Sequence, residues 1–387
     1  MPSPRRILVL HLAGQYPLGG MGWQAVHYVV GLARLGHDVY YVEDSGAPPY
    51  DPRVKSPVED CAYGVEFLRQ TMERFGLGDR WAYRDMIHDR CYGLERGRLD
   101  QLYREADALI NVCGATRLRE EHMACPIRIY IQTDPVVDQI LVTENNARTI
   151  ETLAAHTHHF TYGENLGQPD CPIPMEKFDW RPTRPPVVLD FWEPDLNLAA
   201  SHFTTVGTWE NMNKDVRFEG QTYYWSKHVN FLRLVDLPRL TPQPLELALE
   251  TVDAPTRELL LERGWRLADA YEKSRDTDTY RQQIYASRGE LTVAKDLYAR
   301  TRCGWFSDRS VCYLAAGRPV VTQETGFSKL VPTGRGLFSF DTAEGAAAAL
   351  DEINRDYPYH CRAAREVASG SFDSDKVLGE LCCEAGL

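Results

Sequence analysis

The sequence lacks several patterns, and each absence removes a class of function. There is no Cys-x-x-Cys pair, no evenly spaced cysteine framework and no His-Glu-x-x-His among its 387 residues. Zinc ribbons, disulfide scaffolds and zincin-type centres are therefore not indicated. Both Gly-x-Gly-x-x-Gly and Gly-x-x-x-x-Gly-Lys-[Ser/Thr] are missing, which disfavours a dinucleotide cofactor or a P-loop. Positive charge is also in short supply: 43 Lys and Arg stand against 55 Asp and Glu, for a net charge of −12. Such a balance argues against a protein that coats nucleic acid or an anionic membrane, although a local basic cluster still serves a small anionic ligand. The apolar run at residues 7–12 is only six residues long, short of a secretory core or a membrane span, so a cytoplasmic protein is expected. No solenoid-type repeat and no low-complexity tract is present.

What is present is the composition of a globular enzyme, with 43% hydrophobic and 25% charged residues over a length that suits two or three domains. The run 7–12 (ILVLHL) reads as a strand buried on both faces of a parallel sheet. A Gly-rich loop with Gly19, Gly20 and Gly22 follows, then a helical pattern over 23–35 stopped by Gly36, then a strand over 38–43. That is a βαβ unit, and such crossovers are right-handed and parallel. Helices are expected at 60–75 and 99–106, and strands at 108–112, 127–131 and 159–162, which completes one doubly wound domain over 1–170. Prolines then crowd between Pro169 and Pro194, and 171–200 reads as an ordered linker.

A second cycle fills 201–365, with strands at 204–207, 245–249, 265–267, 319–322 and 336–340. Helices are expected at 226–236, 279–287, 291–300, 310–316 and 343–353. The segment 366–387 reads as a terminal helix that packs back on the first domain, with Cys382 and Cys383 as packing residues. The fold class is thus α/β: two Rossmann-like doubly wound domains facing across a cleft.

The stretch 304–322 (GWFSDRSVCYLAAGRPVVT) spells a loop, a helix start, a short helix, a Gly stop and a buried strand. Ser307 or Asp308 is placed to cap the helix. Its free N–H groups, with Arg309 and Ser310, make an anion site if the helix end faces the cleft. Arg309-Ser310 and the following Ala315-Ala316-Gly317-Arg318-Pro319-Val320-Val321 resemble the donor-site segment of bacterial glycosyltransferases with the two-Rossmann GT-B fold, including the CgeB-like branch and the glycosyl transferases of group 1. Fold-level resemblance extends over nearly the whole chain, and only this segment is specific.

The resemblance implies a nucleotide-sugar as donor substrate, with no resident cofactor and no metal. It places Lys227 and Arg309 against the diphosphate, with Ser310 beside them, and Thr325 and Gly326 near the donor's sugar or phosphates. Glu290 is placed to accept hydrogen bonds from a ribose, and Lys295 to neutralise phosphate. Two positions depart from the retaining branch: where it carries two glutamates with seven residues between them, this chain has Gly304 and Cys312. Stereochemistry is therefore left open.

A base for the acceptor belongs on a loop at the carboxyl end of the first sheet. Asp134, directly after an apolar strand, and His11, at the end of the first strand, are the candidates. Gly19 and Gly20 let backbone approach a ligand closely. His156-Thr157-His158-His159 does not read as a metal site, because neighbouring residues on a strand point to opposite faces. No Asp-x-Asp metal clamp stands out at a strand end, so leaving-group charge falls to the helix end and basic side chains. The aromatic region 50–103, with Tyr63, Trp81, Tyr83 and Tyr92, is read as core before acceptor pocket. A sugar-nucleotide epimerase and a non-catalytic nucleotide- or sugar-binding protein are the other readings of the same pattern.

Overall fold

The computed structural model describes residues 4–211 and 214–387. Short apolar runs form two parallel sheets. The first domain contributes β1 (Arg6–Leu10), β2 (Asp38–Glu43), β3 (Trp81–Asp85), β4 (Arg90–Gly93), β5 (Ala108–Val112), β6 (Ile127–Gln132), β7 (His158–Thr161) and β8 (Trp180–Pro182). Their spatial order is β8-β7-β6-β5-β1-β2-β3-β4, parallel throughout except for the β3–β4 hairpin. Ile7, Val9, Ile110 and Ile129 pack into one face and Leu8, Leu10 and Leu109 into the other, which is why these strands carry no polar alternation.

The second domain contributes β9 (Phe203–Thr208), β10 (Leu245–Glu250), β11 (Arg266–Ala268), β12 (Gly289–Thr292), β13 (Val320–Gln323) and β14 (Leu337–Phe340). They lie in the order β11-β10-β9-β12-β13-β14, all parallel. In each sheet the strand order reverses beside the first strand, between β1 and β5 and between β9 and β12. In open α/β sheets ligands bind outside the carboxyl ends of the strands at such a switch point. No described helix is long and apolar enough to cross a membrane.

Some elements differ from the sequence reading, for physical reasons. Residues 291–300 are not one helix: Gly289–Thr292 is a fully buried central strand, and only Asp296–Thr301 is helical. Leu291, Ala294, Leu297 and Tyr298 satisfy helical spacing, but the first of them is claimed by the sheet between β9 and β13. The helix expected at 226–236 shortens to His228–Arg233. Within the proline-rich stretch, Trp180–Pro182 pairs with β7 as an edge strand, the place in a sheet where proline fits. Trp81 and Tyr83 are core residues of the first domain, whereas Tyr63 reaches across to the second domain, its hydroxyl 3.0 Å from that of Tyr271.

The domains are tied by α1 (Gly19–Arg34) and by the two terminal helices. Trp23 on α1 donates its indole N–H to the Thr277 carbonyl at 2.8 Å, at the start of α2 (Thr277–Ala286). The last helix, Ser374–Ala385, lies on the other side of α1, with Leu378 and Ser374 against Gly31.

Candidate functional site

Both switch points open into the same cleft. One cavity of about 230 Å³ is lined by Gly20 and Gln24 of α1, Gly207 at the end of β9, Tyr280 of α2, and Asp308 and Arg309. The last two begin α3 (Asp308–Ala315), whose first turn leaves backbone N–H groups free at its positive end.

Arg309 is held by three bonds. Its Nη1 donates to the Val206 carbonyl at 2.8 Å, its Nη2 to Thr292 Oγ1 at 2.8 Å and its Nε to Glu290 Oε1 at 2.5 Å. Glu290 sits fully buried on β12. It is thus the carboxylate that orients Arg309, where the sequence placed it against a ribose. Burial works against the Arg309 charge, and Glu290 more than compensates, so the guanidinium stays charged.

Lys227 precedes the short helix His228–Arg233, and its side chain forms no hydrogen bond or ion pair among the described residues. Burial first, then the nearby Arg309 charge, push its ammonium well below the ordinary lysine value, while Glu290 pulls it back. A cation left short of a partner beside a fixed guanidinium is the electrostatic signature of an anion site.

The other sequence candidates fall in different places. Ser310 is fully buried and does not line the cavity. Thr325 donates to the Trp305 carbonyl at 2.6 Å, and the Gly326 N–H donates to Glu324 Oε1 at 2.5 Å, so the loop after β13 is knitted behind the loop 304–307. Gly326 has φ +96°, and a Cβ there would lie 2.6 Å from the Arg302 carbonyl, which accounts for the glycine without a ligand.

Gly19 also serves packing: a Cβ would come 2.3 Å from the Asp276 carbonyl oxygen and 2.6 Å from Tyr280 Cβ. It lets the two domains approach. Gly19→Ala is expected to lower stability by about 1–3 kcal/mol through overpacking. Urea denaturation read by Trp fluorescence checks this.

Asp134, at the end of β6, is paired across the cleft. Lys295 Nζ donates to Asp134 Oδ1 at 2.6 Å, and the Tyr298 hydroxyl donates to the same oxygen. Burial alone would raise the carboxyl, but Lys295 and Tyr298 hold it below the ordinary range. Lys295 also lies 3.6 Å over the Trp225 ring. Held in this way, Asp134 is a weak base and a strong link between domains. It borders a second cavity, of about 310 Å³, with Tyr130, Gln132, Asp138, Lys214 and Trp225.

His11 is fully buried, and burial pushes it down to about 4 against the hydrogen bond to Gln24. It supports α1 from beneath and does not reach the cleft surface. His156 and His159 lie 2.9 Å from backbone carbonyls, and among the described residues no group of three or more His, Cys, Asp or Glu is placed to hold a metal.

Gln24 and Tyr280 were not singled out from sequence, and Asp308 was read only as a cap. Ser307 occupies the cap position and Asp308 the first helical turn, its side chain turned toward the first domain. Nothing local signals that orientation, because it depends on residues more than a hundred positions away.

No protein-family model and no curated protein matches the chain. Solved structures do resemble it. An alpha-glucosyltransferase in complex with UDP and a 13-mer DNA containing a central A:G mismatch superposes with TM-score 0.58 at 13% identity, over 100% of both chains. HepE of Anabaena, in complex with UDP-glucose, gives 0.57 at 12% identity over 99% of each chain. AviGT4, a glycosyltransferase involved in avilamycin A biosynthesis, gives 0.56 at 11% identity, covering 99% of this chain and 97% of that one. The chain therefore has the GT-B fold of these glycosyltransferases, two Rossmann-like domains whose switch points face one another across a cleft.

Proposed function

We propose that the protein is a glycosyltransferase that moves a sugar from a nucleoside-diphosphate donor to an acceptor hydroxyl or amine, without a metal. The observation that carries this reading is the cation pair at the second domain's switch point. Arg309 is fixed by Glu290, Thr292 and the Val206 carbonyl, and Lys227 lies beside it with no carboxylate partner among the described residues. Arg309 lines the cavity onto which α3 opens its N-terminus, and Lys227 lies close enough to feel its charge. Charge that develops on a departing diphosphate would meet preorganised donors there, which is where electrostatic stabilisation acts most strongly.

Fold-mates that hold UDP or UDP-glucose support the same donor class. The domain links through Asp134–Lys295, Trp23–Thr277 and Tyr63–Tyr271 hold the domains against one another, and a transferase needs a closed cleft if it is not to hydrolyse its donor. Assignment to the CgeB-like or group 1 branch rests on the segment 309–321 alone.

The test is incubation with a panel of nucleotide sugars, with and without EDTA, followed by chromatography of the nucleotides. The expected result is consumption of one donor with release of its nucleoside diphosphate at a rate that EDTA leaves unchanged. Binding of no nucleotide at all contradicts the reading, and loss of turnover in EDTA contradicts its metal-free form.

A further inference from the structure

Both acceptor bases suggested by the sequence are ill-suited to the task. Asp134 is tied to Lys295 and Tyr298, and His11 is sealed beneath α1. Glu290 is committed to Arg309, and Asp138 accepts from Tyr130 and Gln132 at 3.0 and 2.8 Å. Asp308 remains. It lines the same cavity as Gly20, Gly207 and Arg309 and forms no ion pair among the described residues.

Its surroundings come from the opposite domain. The Tyr162 hydroxyl lies 3.4 Å from Asp308 Oδ1 and is itself 2.8 Å from the Tyr28 hydroxyl. Gln24 lines the same cavity and favours the charged form of the carboxyl. The orientation of that amide is set from below: His11 Nε2 lies 2.8 Å from Gln24 Oε1, so the carbonyl end takes the His11 proton and the NH₂ end is left for Asp308. Thus His11, Gln24, Tyr162 and Tyr28 of the first domain converge on one carboxylate of the second.

Resting on the transferase reading, we infer that Asp308 is the catalytic residue that accepts the proton of the acceptor. In the step, the acceptor oxygen forms a bond to the sugar's anomeric carbon. The bond from that carbon to the diphosphate oxygen breaks, its electron pair leaving on the nucleoside diphosphate beside Lys227 and Arg309. The acceptor's proton passes to the Asp308 carboxylate.

The charge environment suits this role. Burial pushes the Asp308 carboxyl up to about 6, against hydrogen bonds from Gln24 and Tyr162. The groups that face it are Tyr28 and His27 of α1, Cys113 after β5, Asp134 after β6, Tyr162 after β7, and Arg309 and Cys312 of α3. Arg309 is the one permanent cation among them, and it is spoken for by Glu290. A carboxyl so placed is ionised at neutral pH and yet more basic than Asp134.

The experiment compares wild type, Asp308→Asn and Asp308→Glu in three measurements. These are calorimetric binding of UDP and UDP-glucose, UDP release from UDP-glucose between pH 5 and 8, and infrared titration of carboxyl bands without ligand. Asp308→Asn is expected to lose about 10²–10⁴-fold in kcat, as for removal of a general base, with both affinities within about threefold of wild type. The acid limb of the rate profile, and a carboxyl band titrating near the value of about 6, are expected in wild type and absent in Asp308→Asn. Asp308→Glu restores part of kcat together with the limb.

Wild-type kcat in Asp308→Asn, or no such band in wild type, overturns the inference. So does selective loss of UDP-glucose affinity with UDP affinity intact, which would make Asp308 a hydroxyl anchor for the sugar. Failure of the transferase reading looks different: the wild type would bind no nucleoside diphosphate and no nucleotide sugar from the panel, UDP and UDP-glucose included.

Discussion

Lys227→Met is expected to make the nucleotide-free protein more stable by about 1–3 kcal/mol, while removing its affinity for nucleoside diphosphates. The reason is the same for both effects. Burial and the Arg309 charge disfavour the Lys227 ammonium in the folded state, and among the described residues no carboxylate bonds to it. Its charge is therefore a cost to folding that an apolar side chain of similar length relieves. The cost is recovered when an anion arrives. Denaturation midpoints with and without UDP check the prediction: the variant is expected to unfold later than wild type without UDP, and to show no upward shift with it. A variant less stable than wild type would mean that Lys227 is a packing residue.

Arg309→Ala is expected to move stability the other way, by about 3–5 kcal/mol, because it strands the fully buried Glu290 as an uncompensated charge. It also frees Thr292 and the Val206 carbonyl of their partner. Combining Arg309→Met with Glu290→Gln is expected to return most of that loss, since removing both charges of a buried pair is often close to neutral. Nucleotide binding is expected to stay lost in the double variant. Equilibrium unfolding in urea separates these outcomes, and equal stability of Arg309→Ala and wild type would contradict the buried pair.

The fold was legible where chemistry is local. The run ILVLHL, the Gly-rich loop and Gly36 define one βαβ unit without outside help, and GRPVV after a short helix defines another. Residues 289–292 were not legible, because a buried central strand followed at once by a helix leaves one unbroken set of apolar spacings. The β3–β4 hairpin was hidden likewise: Trp81, Tyr83 and Tyr92 show an aromatic cluster, not the turn that folds it.

Asp134 and Lys295 were each singled out from sequence, one as a base and one as a phosphate ligand. Their pairing spans 161 positions and two domains, so only the structure reveals that each cancels the other. Asp308 shows the converse. It looked like a helix cap, and its place in the cleft depends on Gln24 and Tyr162 of the other domain. Glu290 has a ligand-facing look in the sequence, and its burial follows from its place on the central strand Gly289–Thr292.

The proposed function rests on the cation pair Lys227–Arg309 as the binding site of a nucleoside diphosphate. Calorimetric titration of UDP, ADP, GDP and TDP into wild type and Lys227→Met tests it most directly. Wild type is expected to bind at least one diphosphate saturably, and the variant none. Binding of none by wild type, or equal binding by both proteins, would contradict it.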